Sequence, residues 1–145
     1  MRYLKLTSVI VLLLSLTNSL NAQNSSIIPD QRIIDAYGTE HTNKLVTQAP
    51  ERIAYLNYFL DHSYVIVERA SSIGEKIAKV SSVDLRNKSN TLITRPNFDV
   101  NNFNVLQYNF KRNRKIKTQY RVDNTNKVII FYSEEEIAEA FNQSK

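Results

Sequence analysis

The chain has 145 residues, with 19 lysines and arginines against 14 acids, a formal net charge of +5 and no cysteine. That length allows one ordinary domain, and the lack of cysteine excludes both a disulfide framework and acylation at a leader cysteine. The two glycines leave no phosphate-cradling loop, and a modest positive charge speaks for solubility rather than for a particular partner.

At the N-terminus, Arg2 and Lys5 flank the start of an apolar run from Leu6 to Leu16, followed by Thr17, Asn18, Ser19 and the stretch Asn21-Ala22-Gln23. A charged end, a short apolar core and a small residue at a polar junction are what the translocon and signal peptidase recognise. A bilayer span takes about 20 apolar residues, more than this run supplies. Residues 1–22 are therefore expected to be a signal peptide cleaved after Ala22. Residues 23–145 are expected to form a single exported domain in the periplasm or at the cell surface, with 23–28 as a loose leader.

Pro29 and Asp30 suit the first positions of a helix, and Ile33, Ile34 and Tyr37 fall on one side of it before Gly38 ends it. A second short helix is expected from Glu40 to Thr47, capped by Thr39 and stopped at Ala49-Pro50. The strongest helical period runs from Pro50 to Asp61, where Ile53, Leu56, Phe59 and Leu60 build an apolar stripe. Residues 63–68, SYVIVE, alternate as a strand does. Between 70 and 97 no period is sustained, which reads as a long surface loop with short extended pieces.

The C-terminal third predicts a meander of three strands, FNVLQYNFK, IKTQYRV and KVIIFY, turning at RNR and DNTN. It closes with a helix over 134–142. Ser133 and Glu136 have the spacing of a capping box, in which each side chain satisfies a free backbone N–H of the other residue. The fold class expected is α+β: N-terminal helices packed on an antiparallel sheet with that meander and the closing helix.

Register decides what the basic segment within the meander does. Lys111, Arg112, Arg114, Lys115, Lys117 and Arg121 alternate with aromatics, and no acid interrupts them. A three-residue loop at 112–114 opposes Phe110 to Ile116, Tyr108 to Thr118 and Leu106 to Tyr120, so the aromatics face inward and the cations outward. Single-stranded nucleic acid is bound by cations and aromatics on one surface, so nucleic acid is not the favoured ligand. Pairing Val122 with Lys127 places Ile129 opposite Tyr120 and Phe131 opposite Thr118, and leaves the last strand apolar on both faces. The closing helix, through Ile137, Ala140 and Phe141, is expected to cover the second face and bring its glutamates toward Lys117 and Arg121. That leaves Arg112, Arg114 and Lys115 free at the turn.

Other residues carry weaker signals. Tyr55 and Tyr58 lie on a helix whose single stripe does not bury every aromatic, which makes them candidate interface residues. Asp61-His62-Ser63 has the residue types of a hydrolase triad, but neighbours at a helix end point apart. His41 and His62 lack ligand spacing and no His-Glu-x-x-His occurs, so no metal and no cofactor is expected. The Asn-x-Ser patterns at Asn24, Asn87 and Asn142 fit chance in an asparagine-rich chain.

The stretch YNFKRNRKIKTQYRVDNTNKVIIFYSEEEIAEAFN, with its tyrosine-bearing strand, Asn/Asp turn, KVIIFYS strand and terminal helix, together with the Ala22-Gln23 junction, resembles small uncharacterised exported proteins of gliding-type Gram-negative bacteria. The resemblance implies a periplasmic or surface location, as an accessory of an envelope or secretion machine, and supplies no catalytic residues. The reading is a non-enzymatic exported binding or structural module with an envelope protein partner. The alternatives are binding of an anionic lipid or polysaccharide through residues 111–121, and a hydrolase with an unrecognised site.

Overall fold

The computed structural model describes residues 27–69, 77–86 and 98–145. Among the described residues three helices come first: α1 (Gln31–Tyr37), α2 (Thr39–Gln48) and α3 (Pro50–His62). Strands β1 (Tyr64–Glu68), β2 (Ala78–Lys79), β3 (Thr118–Arg121) and β4 (Lys127–Phe131) make one sheet, and α4 (Glu134–Gln143) closes the chain. The fold is α+β, as composition and period indicate. The leader expected over 1–22, most of the stretch 23–28 and the sequons at Asn24 and Asn87 lie outside the described residues.

Local chemistry sets the helix boundaries. The Asp30 carboxylate accepts from the Arg32 N–H at 2.8 Å and caps α1. Gly38, at φ 81° and ψ 154°, ends α1 and serves as the N-cap of α2, a backbone that an L side chain resists. The second cap is thus Gly38 rather than Thr39, which lies within the helix. Pro50 opens α3, and Ile53, Leu56, Phe59 and Leu60 are all buried as the stripe predicts.

The sheet order is β1-β4-β3-β2, with β1·β4 and β3·β4 antiparallel and β2·β3 parallel. It is therefore mixed, which corrects the expectation of an antiparallel sheet. The β3–β4 hairpin has the predicted register: Thr118 opposite Phe131, Gln119 opposite Ile130, Tyr120 opposite Ile129 and Arg121 opposite Val128. Its turn depends on Asn124 at φ 56°, a conformation asparagine tolerates. Asp123 in the same turn accepts from the Ser81 N–H and hydroxyl, each at 2.8 Å, and ties the segment after β2 to it.

The first strand of the expected meander does not form. Residues 105–107 make a short 3-10 turn, and the neighbouring backbone pairs with 84–86 instead: Arg86 N–H to the Gln107 carbonyl at 2.6 Å, Asn109 N–H to the Asp84 carbonyl at 2.8 Å, and a bridge between Leu85 and Tyr108. Tyr120 replaces the missing ladder with its hydroxyl, which donates to the Lys111 carbonyl and accepts from the Lys111 N–H, both at 2.9 Å. Leu106, Tyr108 and Phe110 remain buried, but Ile116 is 64% exposed and does not oppose Phe110.

One core joins Ile33 of α1, the α3 stripe, Tyr120, Ile129, Phe131 and Ile137. Rings fill its sheet side: Phe110 lies 4.8 Å from both Tyr120 and Phe131, and Phe103 is 5.2 Å from Tyr64. Burying one such ring stabilises by about 1.5–3 kcal/mol. α4 packs on α3, with Phe141 against Tyr55 and Tyr58 at ring distances of 5.3 and 5.5 Å, and its Ile137 and Ala140 share a groove with Tyr132 at the end of the reverse face of β4. Arg69 of the segment after β1 donates across β4 to the Gln119 side chain at 3.1 Å, and Val128 on the same face of β4 is 2% exposed.

Candidate functional site

The basic segment is clamped onto the start of α4. The carbonyls of Asn113 and Arg114 accept from the N–H groups of Glu134 and Glu135, both at 3.1 Å, and the Ser133 hydroxyl accepts from the Glu136 N–H at 3.2 Å. The Ser133 N–H donates back to the Glu136 carboxylate at 2.8 Å, completing the capping box read from the sequence. The first N–H groups of a helix have no partner within it, and here the chain satisfies them from outside.

The side chains follow the backbone. Arg114 meets Glu135 at 3.0 Å, Lys117 meets Glu136 at 3.5 Å and Arg112 meets Glu134 at 3.7 Å. Lys117 also sits 4.6 Å over the Tyr132 ring, and Arg112 lies 4.5 Å over the Phe59 ring. The backbone hydrogen bond from Ser133, together with Lys117, holds the Glu136 carboxyl below its usual range. The glutamates neutralise part of the segment: Glu136 meets Lys117 as expected, Arg121 has no such pair among the described residues, and Glu134 and Glu135 go to the turn. Arg112 and Arg114 are also paired, which corrects the expectation that they stay free. Among the described residues, Lys111, Lys115 and Arg121 have no carboxylate within ion-pair distance, and Ile116 stands exposed between Lys115 and Lys117.

A second surface is formed where the helices meet the sheet edge. The Tyr132 N–H donates to the Ser63 carbonyl at 3.0 Å and the Arg69 N–H to the Asn126 carbonyl at 2.8 Å. In an antiparallel ladder hydrogen-bonded pairs alternate, so Val65 and Val67 direct their backbone groups at β4. Tyr64, Ile66 and Glu68 direct theirs outward, and among the described residues β1 is the last strand on that side. Val65 and Ile66 are 38% and 37% exposed. Neither proline nor lysine guards this edge, and Glu68 at its end is its one charge.

Beside the start of β1 lies an open groove of about 480 Å³, whose walls include Tyr58, Tyr64, Tyr132 and Ile137 together with the polar Asp61, His62 and Glu136. Burial raises the Tyr64 hydroxyl above its ordinary pKa. Tyr58 contributes one wall and is stacked on His62 at 4.2 Å, while Tyr55 is turned to Phe59 and Phe141. Both candidate interface aromatics are half-buried by the closing helix. The open strand edge next to Tyr58 was not singled out in the sequence. Its signal is the alternation of SYVIVE without a charged gatekeeper, but whether a strand lies at an edge depends on pairing that the sequence alone does not display.

Asp61 and His62 of the triad-like triplet are engaged elsewhere. Asp61 pairs with Arg32 at 2.7 Å, the His62 Nδ1 lies 2.9 Å from the Tyr58 carbonyl, and the Ser63 hydroxyl is buried with no hydrogen-bond partner among the described residues. No group of three potential metal ligands occurs among the described residues. Comparison with protein-family models, with curated proteins and with solved structures returns no match.

Proposed function

We propose that the chain is a non-enzymatic exported binding module that takes up an extended segment of an envelope protein partner by strand addition at the open edge of β1. The observation that carries this reading is the outward row of backbone groups on Tyr64, Ile66 and Glu68 beside the exposed side chains of Val65 and Ile66. Strand addition draws its affinity from main-chain hydrogen bonds and its selectivity from pockets for alternate side chains. The groove beside Tyr58 and Tyr132 provides such a pocket. Export is supported by the pattern of the first 22 residues, and an envelope partner follows from that location.

The test uses a photo-crosslinking residue at Val65 in envelope fractions, compared with the same protein carrying Ile66→Pro. Proline removes one outward N–H while leaving the bonds of Val65 and Val67 to β4, a placement that edge strands tolerate. The expected result is a crosslinked partner in the parent protein, lost in the proline variant while its melting curve is unchanged. Equal crosslinking by both removes strand addition.

A second reading, contact with an anionic lipid or polysaccharide, is favoured by one arrangement: Ile116 exposed between Lys115 and Lys117. An apolar side chain among cations suits the surface of an anionic bilayer. Flotation with vesicles containing anionic lipid, compared with neutral vesicles, tests it. Equal binding of Ile116→Asp and the parent chain would remove it.

A further inference from the structure

A smaller cavity, of about 90 Å³, lies between α3, residues 105–112 and β4. Its apolar lining includes Leu56, Phe59, Leu106, Phe110 and Phe131, its cations are Arg86 and Arg112, and no carboxylate lines it. The Arg112 side chain is 24% exposed and its guanidinium carbon lies 4.5 Å from the centre of the Phe59 ring, a wall of the cavity. Its contact with Glu134, at 3.7 Å from Nη2, is loose. Its Nη1 is buried and has no hydrogen-bond partner among the described residues. Among the described residues the Arg86 side chain makes one long contact, 3.4 Å, from Nη1 to the Tyr37 hydroxyl.

A buried charged donor without an acceptor is unfavourable unless the site receives one. The acceptor that fits a planar guanidinium is a carboxylate. Space limits the rest: a cavity of about 150 Å³ takes a benzene ring, and this one is smaller. The remaining lining is aliphatic and aromatic, which suits a short hydrocarbon tail. We propose that the cavity binds a short-chain aliphatic monocarboxylate, with its carboxylate on Arg112, Arg86 as the second cation, and its tail against Leu56 and Phe131. This site is separate from the β1 edge and does not depend on strand addition.

The experiment is an NMR titration of the whole exported chain with butyrate, with butyramide as the uncharged isostere and with inorganic phosphate as an anion lacking a tail. Saturable shifts of the Leu56 and Leu106 methyl signals are expected with butyrate. Butyramide and the Arg112→Gln variant are expected to bind about 10- to 100-fold more weakly, the range for a lost charge-assisted hydrogen bond. Arg86→Ala, at an exposed position, gives a second variant that keeps the fold, and a smaller loss is expected there. Absence of saturation by butyrate, equal binding of butyramide, or tighter binding of phosphate than of butyrate overturns the proposal. The butyrate–butyramide comparison decides the matter on the parent protein even if Arg112→Gln fails to fold.

Discussion

Ile116→Ala separates two ways of folding residues 104–121. In a hairpin with a three-residue loop, Ile116 faces Phe110 across the buried side, and truncation there costs about 2–5 kcal/mol. In the structure Ile116 is 64% exposed and Phe110 is 7% exposed, with two rings at 4.8 Å from Phe110. Truncating a surface side chain stays within about 0.5 kcal/mol, whereas Phe110→Ala removes a ring from the core at about 3–5 kcal/mol. At roughly 4 °C per kcal/mol for a chain of this length, Ile116→Ala moves the melting temperature by about 2 °C or less, and Phe110→Ala lowers it by about 12–20 °C. Urea unfolding followed by far-UV circular dichroism gives the same ordering in midpoint, with unchanged slope if both states keep their compactness. A loss of about 2 kcal/mol or more for Ile116→Ala refutes the placement of this segment on α4.

Three further outcomes follow from named contacts. Ser133→Ala removes the cap of α4 and is expected to cost about 0.5–2 kcal/mol by the same urea assay; an unchanged midpoint would contradict the capping box. Tyr120→Phe removes both hydroxyl bonds to Lys111 and is expected to cost about 1 kcal/mol while speeding hydrogen exchange of the Lys111 amide, which an unchanged exchange rate would contradict. The side-chain hydrogen bond from Arg32 lowers the Asp30 carboxyl below its ordinary value in the folded state. Its contribution is therefore complete above the unfolded value, about 3.9, and is lost as pH falls through the lower folded value. A series of melting temperatures below pH 5 is expected to show a shallower acid slope in Asp30→Asn than in the parent, and parallel slopes refute that account.

What the sequence displayed was mostly local. The α3 stripe, the capping box at Ser133 and the β3–β4 register are set within a dozen residues, by helical period or by a turn that asparagine permits at Asn124. The strand proposed over 104–111 has the right alternation, and Leu106, Tyr108 and Phe110 are indeed buried. Its backbone partner is residues 84–86, more than twenty positions away in a stretch with no readable period, and alternation does not name a partner. The parallel strand β2 has only two residues, too short for any pattern. Among the cations, charge complementarity correctly pointed to the glutamates of the closing helix. Which cation meets which glutamate depended on Asn113 and Arg114 giving their carbonyls to that helix, and composition carries no mark of that. The open edge at β1 and the cavity at Arg112 both arise from the tertiary arrangement.

The central claim concerns the edge of β1, and residue-resolved amide exchange across Tyr64–Glu68 tests it most directly, first on the free chain and then with the partner that crosslinking at Val65 identifies. Val65 and Val67 are expected to be protected in both states by β4. Ile66 and Glu68 are expected to exchange fast in the free chain and to become protected when the partner binds. Slow exchange at Ile66 in the free chain, or no gain of protection at Ile66 and Glu68 on binding, contradicts strand addition at this edge.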